Sequence, residues 1–214
     1  MAALSTHTKL LVLVLSCLQN RKLWQAKLTI WEDTIVLVGD PQLSASFKLV
    51  GRVLWLKCPD TYDALPQKMA LAFRAILDLP QFLSVTHVLK TDDHDNAYTV
   101  EDLLRIKHDH SIKFNPYVGG RVNDKLGSRL WHFKKVPKNS QWHNKPYSGH
   151  YVPWADGGCG YILRRDALEC FLMHSNLDEV KENDIYEDLM VAKVLIKCDM
   201  HPHKSNFEWI KGDK

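Results

Sequence analysis

The sequence predicts a layered α/β fold, and three observations carry that expectation. Short, continuously apolar runs alternate with longer stretches whose apolar residues recur at helical spacing. The runs are rich in Leu, Val and Ile, as strands buried on both faces of a parallel sheet must be. An acidic cluster follows directly on one of these runs, and open α/β sheets bind ligands at the carboxyl ends of their strands.

Taken in order, Leu10–Leu15 reads as a buried first strand, and residues 21–31 as a helix with Leu23, Trp24, Leu28 and Trp31 on one face. Residues 35–38 form a second strand ended by Gly39-Asp40-Pro41, and 52–56 a third ended by Cys58-Pro59-Asp60. A helix over 66–77 starts with Pro66, whose fixed φ suits a first turn, and turns Met69, Ala70, Phe73, Ile76 and Leu77 inward. A fourth strand over 86–89 runs into Lys90-Thr91-Asp92-Asp93-His94-Asp95-Asn96, and a helix follows over 100–107. Residues 115–154 carry aromatics, prolines, glycines and histidines without a regular period. They read as irregular strands and loops facing a ligand rather than as a linker, because Trp131, Phe133, Trp142, Tyr147 and Trp154 are costly to expose. A strand over 161–163 and helices over 165–173 and 184–196 complete the chain.

With 214 residues and 45% hydrophobic content the chain supports one substantial core, so residues 1–214 are expected to form a single domain. The net charge of +3 is ordinary, and the densest basic stretch, residues 133–138, holds three lysines. No nucleic-acid partner is expected from that charge. The five cysteines are odd in number and lack CxxC spacing, which argues against a disulfide framework or a zinc ribbon and favours a reducing compartment. The six apolar residues of Leu10–Leu15 are too few for a membrane span or a signal-peptide core. A soluble, cytoplasmic protein without membrane insertion, or a domain of a larger protein, is expected.

Three segments can carry chemistry. Asp92-Asp93-His94-Asp95 places an imidazole and three carboxylates in four residues, and the carboxylates repel one another. A divalent cation would neutralise them; hard oxygen ligands favour Mg²⁺ or Mn²⁺, and the imidazole tips the balance toward Mn²⁺. The bland alternative is a solvated turn before the next helix. Asp156-Gly157-Gly158-Cys159-Gly160 lets backbone approach a ligand, with free N–H groups to cradle oxygens, or else is a tight turn before a strand. Glu187-Asp188 opens the last helix, where acidic residues are favoured by the helix dipole or where one of them is a general base in a cleft. His201 and His203 lie downstream and could complete a metal site.

In this order the segments resemble the beta-1,3-galactosyltransferase and fringe-like family of GT-A glycosyltransferases. Leu10 to Ser16 with Asn20 and Trp31 looks like that family's opening strand and turn, although Ile30 stands where the family has threonine. Tyr62 to Lys68 is similar to its Tyr-x-Asn-Leu-x-x-Lys segment, and Lys90-Thr91-Asp92-Asp93 with Asp95 to its metal motif. Gly157 to Asp166 looks like its Gly-Gly-x-Tyr-x-x-Ser-Arg-Asp segment, and Glu187-Asp188 like its Glu-Asp-Val triplet.

The resemblance implies a GT-A fold with a mixed central sheet and helices on both faces, residues 1–110 binding the nucleotide and 111–214 the acceptor. It implies a UDP-sugar donor, a glycan or glycoprotein acceptor, a Mn²⁺ or Mg²⁺ ion and inversion at the anomeric carbon. It further implies that Asp93, Asp95 and His203 hold the metal, with Asp92-Asp93-His94 as the other register and His201 as the other histidine. Ser16, Asn20, Arg21, Asp92 and Asp93 would line the nucleotide pocket, Gly157 and Gly158 would approach the donor sugar and the acceptor, and Asp188 would be the general base. The family's paired arginines are not matched in register by Arg21 and Lys22, and no counterpart of its membrane anchor or paired cysteines is expected here. The rival readings are a metal-dependent phosphohydrolase and a carbohydrate-binding module without turnover.

Overall fold

The structure, a computed structural model, describes residues 8–93 and 98–205. The first half runs β1 (Leu10–Leu15), α1 (Arg21–Lys27), β2 (Thr34–Gly39), β3 (Phe47–Val50), β4 (Val53–Leu56), α2 (Leu65–Asp78) and β5 (His87–Asp92). There follow α3 (Val100–His108), α4 (His110–Phe114), β6 (Tyr117–Gly119), β7 (Val122–Asn123), β8 (Trp154–Ala155) and β9 (Tyr161–Arg164). The last elements are α5 (Arg165–His174), α6 (Leu177–Asn183), α7 (Glu187–Ile196) and β10 (His203–Lys204).

Eight strands form one mixed sheet in the order β10-β6-β9-β5-β1-β2-β4-β3, while β7 and β8 pair apart from it. The central strands β5, β1, β2 and β4 are parallel, and β9 and β3 run antiparallel to their neighbours. Every residue of β1 and β2 is buried, which is why both read as unbroken apolar runs. The period-two alternation of a strand sorts these residues between two cores. Leu11, Leu13 and Leu15 pack with α2, α5 and α7, where Phe73 meets Phe171 edge-on at 5.1 Å between ring centroids. Leu10, Val12 and Val14 pack on the other face with Trp24 of α1 and Leu103 and Ile106 of α3. Helices therefore cover both faces, and the α/β expectation is met.

Chain order positions the site. From β1 the sheet grows outward through β2 and β4, and β5 then returns to the opposite side of β1. The carboxyl ends of β1 and β5, where Leu15 pairs with Asp92, flank the crevice that such a reversal opens. Beyond it α3 begins at a reciprocal capping box between Thr99 and Asp102.

Several expectations are corrected. Phe47–Val50 is an additional edge strand, joined to β4 by a turn whose Gly51 takes φ 58°. Helix α1 ends at Lys27 rather than residue 31, and α7 begins at Glu187 rather than residue 184. Residues 115–154 are largely irregular as expected, and their Val136, Trp142 and Tyr147 form a small separate core with Ile185 and Leu189. Trp131, expected inside, is 61% exposed. Cys170 and Cys198, expected to stay unpaired, form a disulfide; the packing of α5 beside α7 brings together positions 28 apart in sequence, which no local spacing announces. Among the described residues no helix is long and apolar enough to cross a membrane.

Candidate active site

Two buried lysines organise the ends of the strands. Lys68, on α2, is 1% exposed; its ammonium donates to the Ser16 carbonyl at 2.7 Å and to Asp60 Oδ1 at 2.7 Å. Asp60 also accepts from the backbone N–H groups of Gly39 (2.8 Å) and Leu18 (2.6 Å), which ties the loops after β1, β2 and β4 together. Ser16, held by this lysine, donates its hydroxyl to Asp93 Oδ2.

Lys90, on β5, is equally buried. Its ammonium donates to Asp92 Oδ1 (2.8 Å), Glu187 Oε1 (2.6 Å) and the Gly157 carbonyl (3.1 Å), which uses every ammonium hydrogen. Tyr161 of β9 donates to Glu187 Oε2 at 2.9 Å. The lysine stays cationic because the attraction of Asp92 and Glu187 outweighs its desolvation. Glu187, 6% exposed, is pushed up to about 7 by burial, against the pull of Lys90 and with the charge of Asp188 adding to the rise.

Asp188 stands beside this pair at the head of α7. Its Oδ2 accepts from Gly157 N at 3.0 Å and its Oδ1 from Leu189 N at 2.8 Å, so each oxygen keeps a lone pair for another donor. Burial raises its pKa above the ordinary carboxylate value, partly countered by the Gly157 N–H and by Lys90. A Cβ on Gly157 would lie 2.6 Å from Glu187 Oε1, so only glycine lets these segments close. The N–H groups expected to receive ligand oxygens are already engaged: that of Gly157 by Asp188, and those of Gly158 and Cys159 by Asp156 Oδ1 at 2.9 and 3.2 Å.

These groups wall two joined cavities. One, of about 520 Å³, is lined by Ser16, Asn20, Asp60, Lys68 and Asp93. The other, of about 350 Å³, is lined by Lys90, Asp156, Gly157, Gly158, Glu187 and Asp188, with Trp131, Tyr151 and Trp154 as an aromatic wall. Leu15, Tyr62, Leu65, Asp92 and Lys135 belong to both and mark the junction.

The structure thus gathers Ser16, Asn20, Asp92, Asp93, Gly157, Gly158 and Asp188 around these two adjoining cavities. Arg21 is exposed and lines neither cavity. His203 is exposed on β10, three strands from β5 in the sheet, and also lines neither, because pairing with β6 holds it at the sheet edge. Asp95 and His94 lie outside the described residues. Among the described residues, Cys170, His174 and Cys198 form the one cluster of metal-ligand type, and the two sulfurs are bonded to each other.

No site role was assigned from sequence to Lys68, Lys90, Asp60 or Lys135, and Glu187 entered only as one of two candidate bases at the start of the last helix. A lysine inside the apolar strand pattern ahead of Asp92 is the one signal that pointed at Lys90. No protein-family model matches the chain, and no curated protein is similar to it.

Proposed function

We propose that the chain is a GT-A glycosyltransferase that moves a sugar from a UDP-sugar to a glycan hydroxyl, with inversion and with Asp188 as general base. The observation that carries this reading is the pair of joined cavities. Asp93 and Ser16 lie in one at a strand-order reversal, Asp188 lies in the other, and Asp92 lies at the junction. Both volumes fall in the range of small-ligand sites. The larger cavity, by the β1 and β5 ends, takes the nucleotide; the smaller, with its aromatic wall, takes the donor sugar and the acceptor.

The residues fit a divalent cation. Asp93 is 9% exposed, and among the described residues its carboxylate has the Ser16 hydroxyl and no cationic partner. Carboxylates outnumber lysines on the walls of both cavities, so a diphosphate could not enter without added positive charge. Asp93, with Asp95 as the second ligand expected from sequence, would hold Mn²⁺ or Mg²⁺, which would supply charge to the departing diphosphate. Asp188 accepts the acceptor hydroxyl's proton as that oxygen bonds to the anomeric carbon. The bond from that carbon to the phosphate oxygen breaks on the opposite face, and its electron pair leaves with UDP. The raised pKa makes Asp188 a stronger base than an ordinary carboxylate.

The test is thermal stability with UDP and UDP-sugars, with and without Mn²⁺, because a ligand of the folded state raises the midpoint. A UDP shift that requires Mn²⁺, lost in Asp95→Ala, is expected. Asp188→Asn should keep that shift and abolish transfer. No response to any nucleotide would overturn the reading in favour of a hydrolase or a lectin.

A further inference from the structure

Three lysines line the joined cavities, and two are already paired with carboxylates. Lys90 is saturated by Asp92, Glu187 and Gly157, and Lys68 is held by Asp60 and the Ser16 carbonyl. Lys135 differs. Among the described residues it has no carboxylate partner, and its ammonium rests 4.0 Å from the Trp131 ring centroid and 5.1 Å from that of Tyr62. Aromatic faces attract a cation without neutralising it. Partial burial lowers its pKa, against the attraction of Asp92 and Asp188, the carboxylates that it faces. The same contact accounts for Trp131, whose ring stays largely exposed at the cavity wall and is the nearer of the two faces under the ammonium.

Place decides what this cation meets. Lys135 lines both cavities, at the junction of the Ser16–Asp93 side and the Asp188 side. A nucleotide in the first and a sugar in the second put the phosphate that links them at that junction. We propose that Lys135 binds the phosphate next to the transferred sugar and neutralises the charge gained as the bond between sugar and phosphate breaks. The electron pair of that bond passes to the phosphate oxygen, the acceptor proton goes to Asp188, and Lys135 stays protonated throughout. This inference rests on the UDP-sugar reading above.

Lys135 is exposed at its loop, so its variants are expected to fold with an unchanged thermal midpoint. The experiment is calorimetric titration of UDP and of uridine, each with Mn²⁺, into the wild-type chain, Lys135→Gln and Lys135→Arg. The expected result is a loss of roughly tenfold or more in UDP affinity for Lys135→Gln, the scale of one charge-assisted hydrogen bond, with uridine affinity unchanged. Lys135→Arg should restore most of the UDP affinity. Wild-type UDP binding with equal affinity in Lys135→Gln overturns the role of Lys135 and leaves the donor assignment standing. Equal losses for UDP and uridine also overturn it, since they assign Lys135 to shaping the pocket. A wild-type chain that binds neither UDP nor uridine overturns the donor assignment and this inference together.

Discussion

Replacing Lys90 by methionine should destabilise the protein strongly, and more at alkaline than at acid pH. The ammonium lies 2.6 Å from Glu187 and 2.8 Å from Asp92, with side chains 2% exposed for the lysine and 7% for the glutamate. Methionine approximates the stem of the side chain but leaves a buried carboxylate uncompensated. Breaking such a pair costs about 3–5 kcal/mol. At roughly 2–4 °C per kcal/mol for a domain of this size, the midpoint should fall by about 10 °C. Glu187 already sits at about 7 in the folded protein against an ordinary value of 4.5, and losing Lys90 removes an influence that lowers it, so it rises further. A folded pKa above the unfolded one contributes stability that is complete below the unfolded value and is lost as pH rises through the folded value. The deficit of Lys90→Met should therefore widen only as pH rises above about 7, the wild-type folded value, and be about 1 kcal/mol larger at pH 8 than at pH 5. Adding Glu187→Gln should recover most of it, because the amide carries no charge. Thermal denaturation of the four proteins at both pH values closes the cycle. A loss of under about 1 kcal/mol, or one independent of pH and of Glu187, would refute the electrostatic account and leave only packing.

Gly157→Ala should disturb the same pair by pressure rather than by deletion. The new Cβ would meet Glu187 Oε1 at 2.6 Å and Lys90 Nζ at 3.0 Å, so a cost of about 1–3 kcal/mol is expected, with transfer falling further than UDP affinity. Equal thermal midpoints for this variant and the wild type would show that the segment has room to move. Reducing the Cys170–Cys198 disulfide, or Cys198→Ala, should cost about 3.5 kcal/mol if loop entropy governs a separation of 28 residues. A midpoint insensitive to reductant, with both thiols free to alkylation, would show that the bond does not form in solution.

What the sequence made legible was whatever local pattern dictates. Strands β1 and β2 are buried on both faces and read as unbroken apolar runs, and the acidic cluster could be placed at a strand end before any contact was known. Asp188 was legible as an acid at a helix start. The β3–β4 hairpin was half hidden because β3 alternates between exposed and half-buried residues at the sheet edge and carries no apolar run. The lysines show the deeper limit. Lys68 reads as an ordinary polar position of a helix, yet it is buried because its partners come from the ends of other elements, Ser16 lying 52 residues away. The glycine segment was expected to let backbone approach a ligand; in the structure Gly157 packs against Glu187 and Lys90, and the segment's N–H groups serve Asp188 and Asp156, partners set by the fold.

The two acidic doublets follow one logic. In Asp92-Asp93 and in Glu187-Asp188 the first carboxylate holds Lys90, while the second faces a cavity and accepts only neutral donors: the Ser16 hydroxyl for Asp93, and the Gly157 and Leu189 N–H groups for Asp188. Two adjacent carboxylates in a partly buried site repel each other. A single buried ammonium compensates the first member of both doublets, so the second members keep unneutralised charge at the cavity wall. On the reading proposed above, one of these meets a metal ion and the other a proton. Because Lys90 also binds the Gly157 carbonyl, the arrangement exists only once three separated segments have met. This predicts that substitutions at Lys90 impair the roles proposed for Asp93 and Asp188 together, whereas Asp188→Asn impairs one alone. UDP titration and transfer measured side by side on both variants distinguish the two patterns. Separate, uncoupled losses in Lys90→Met would mean that each doublet is held by its own surroundings.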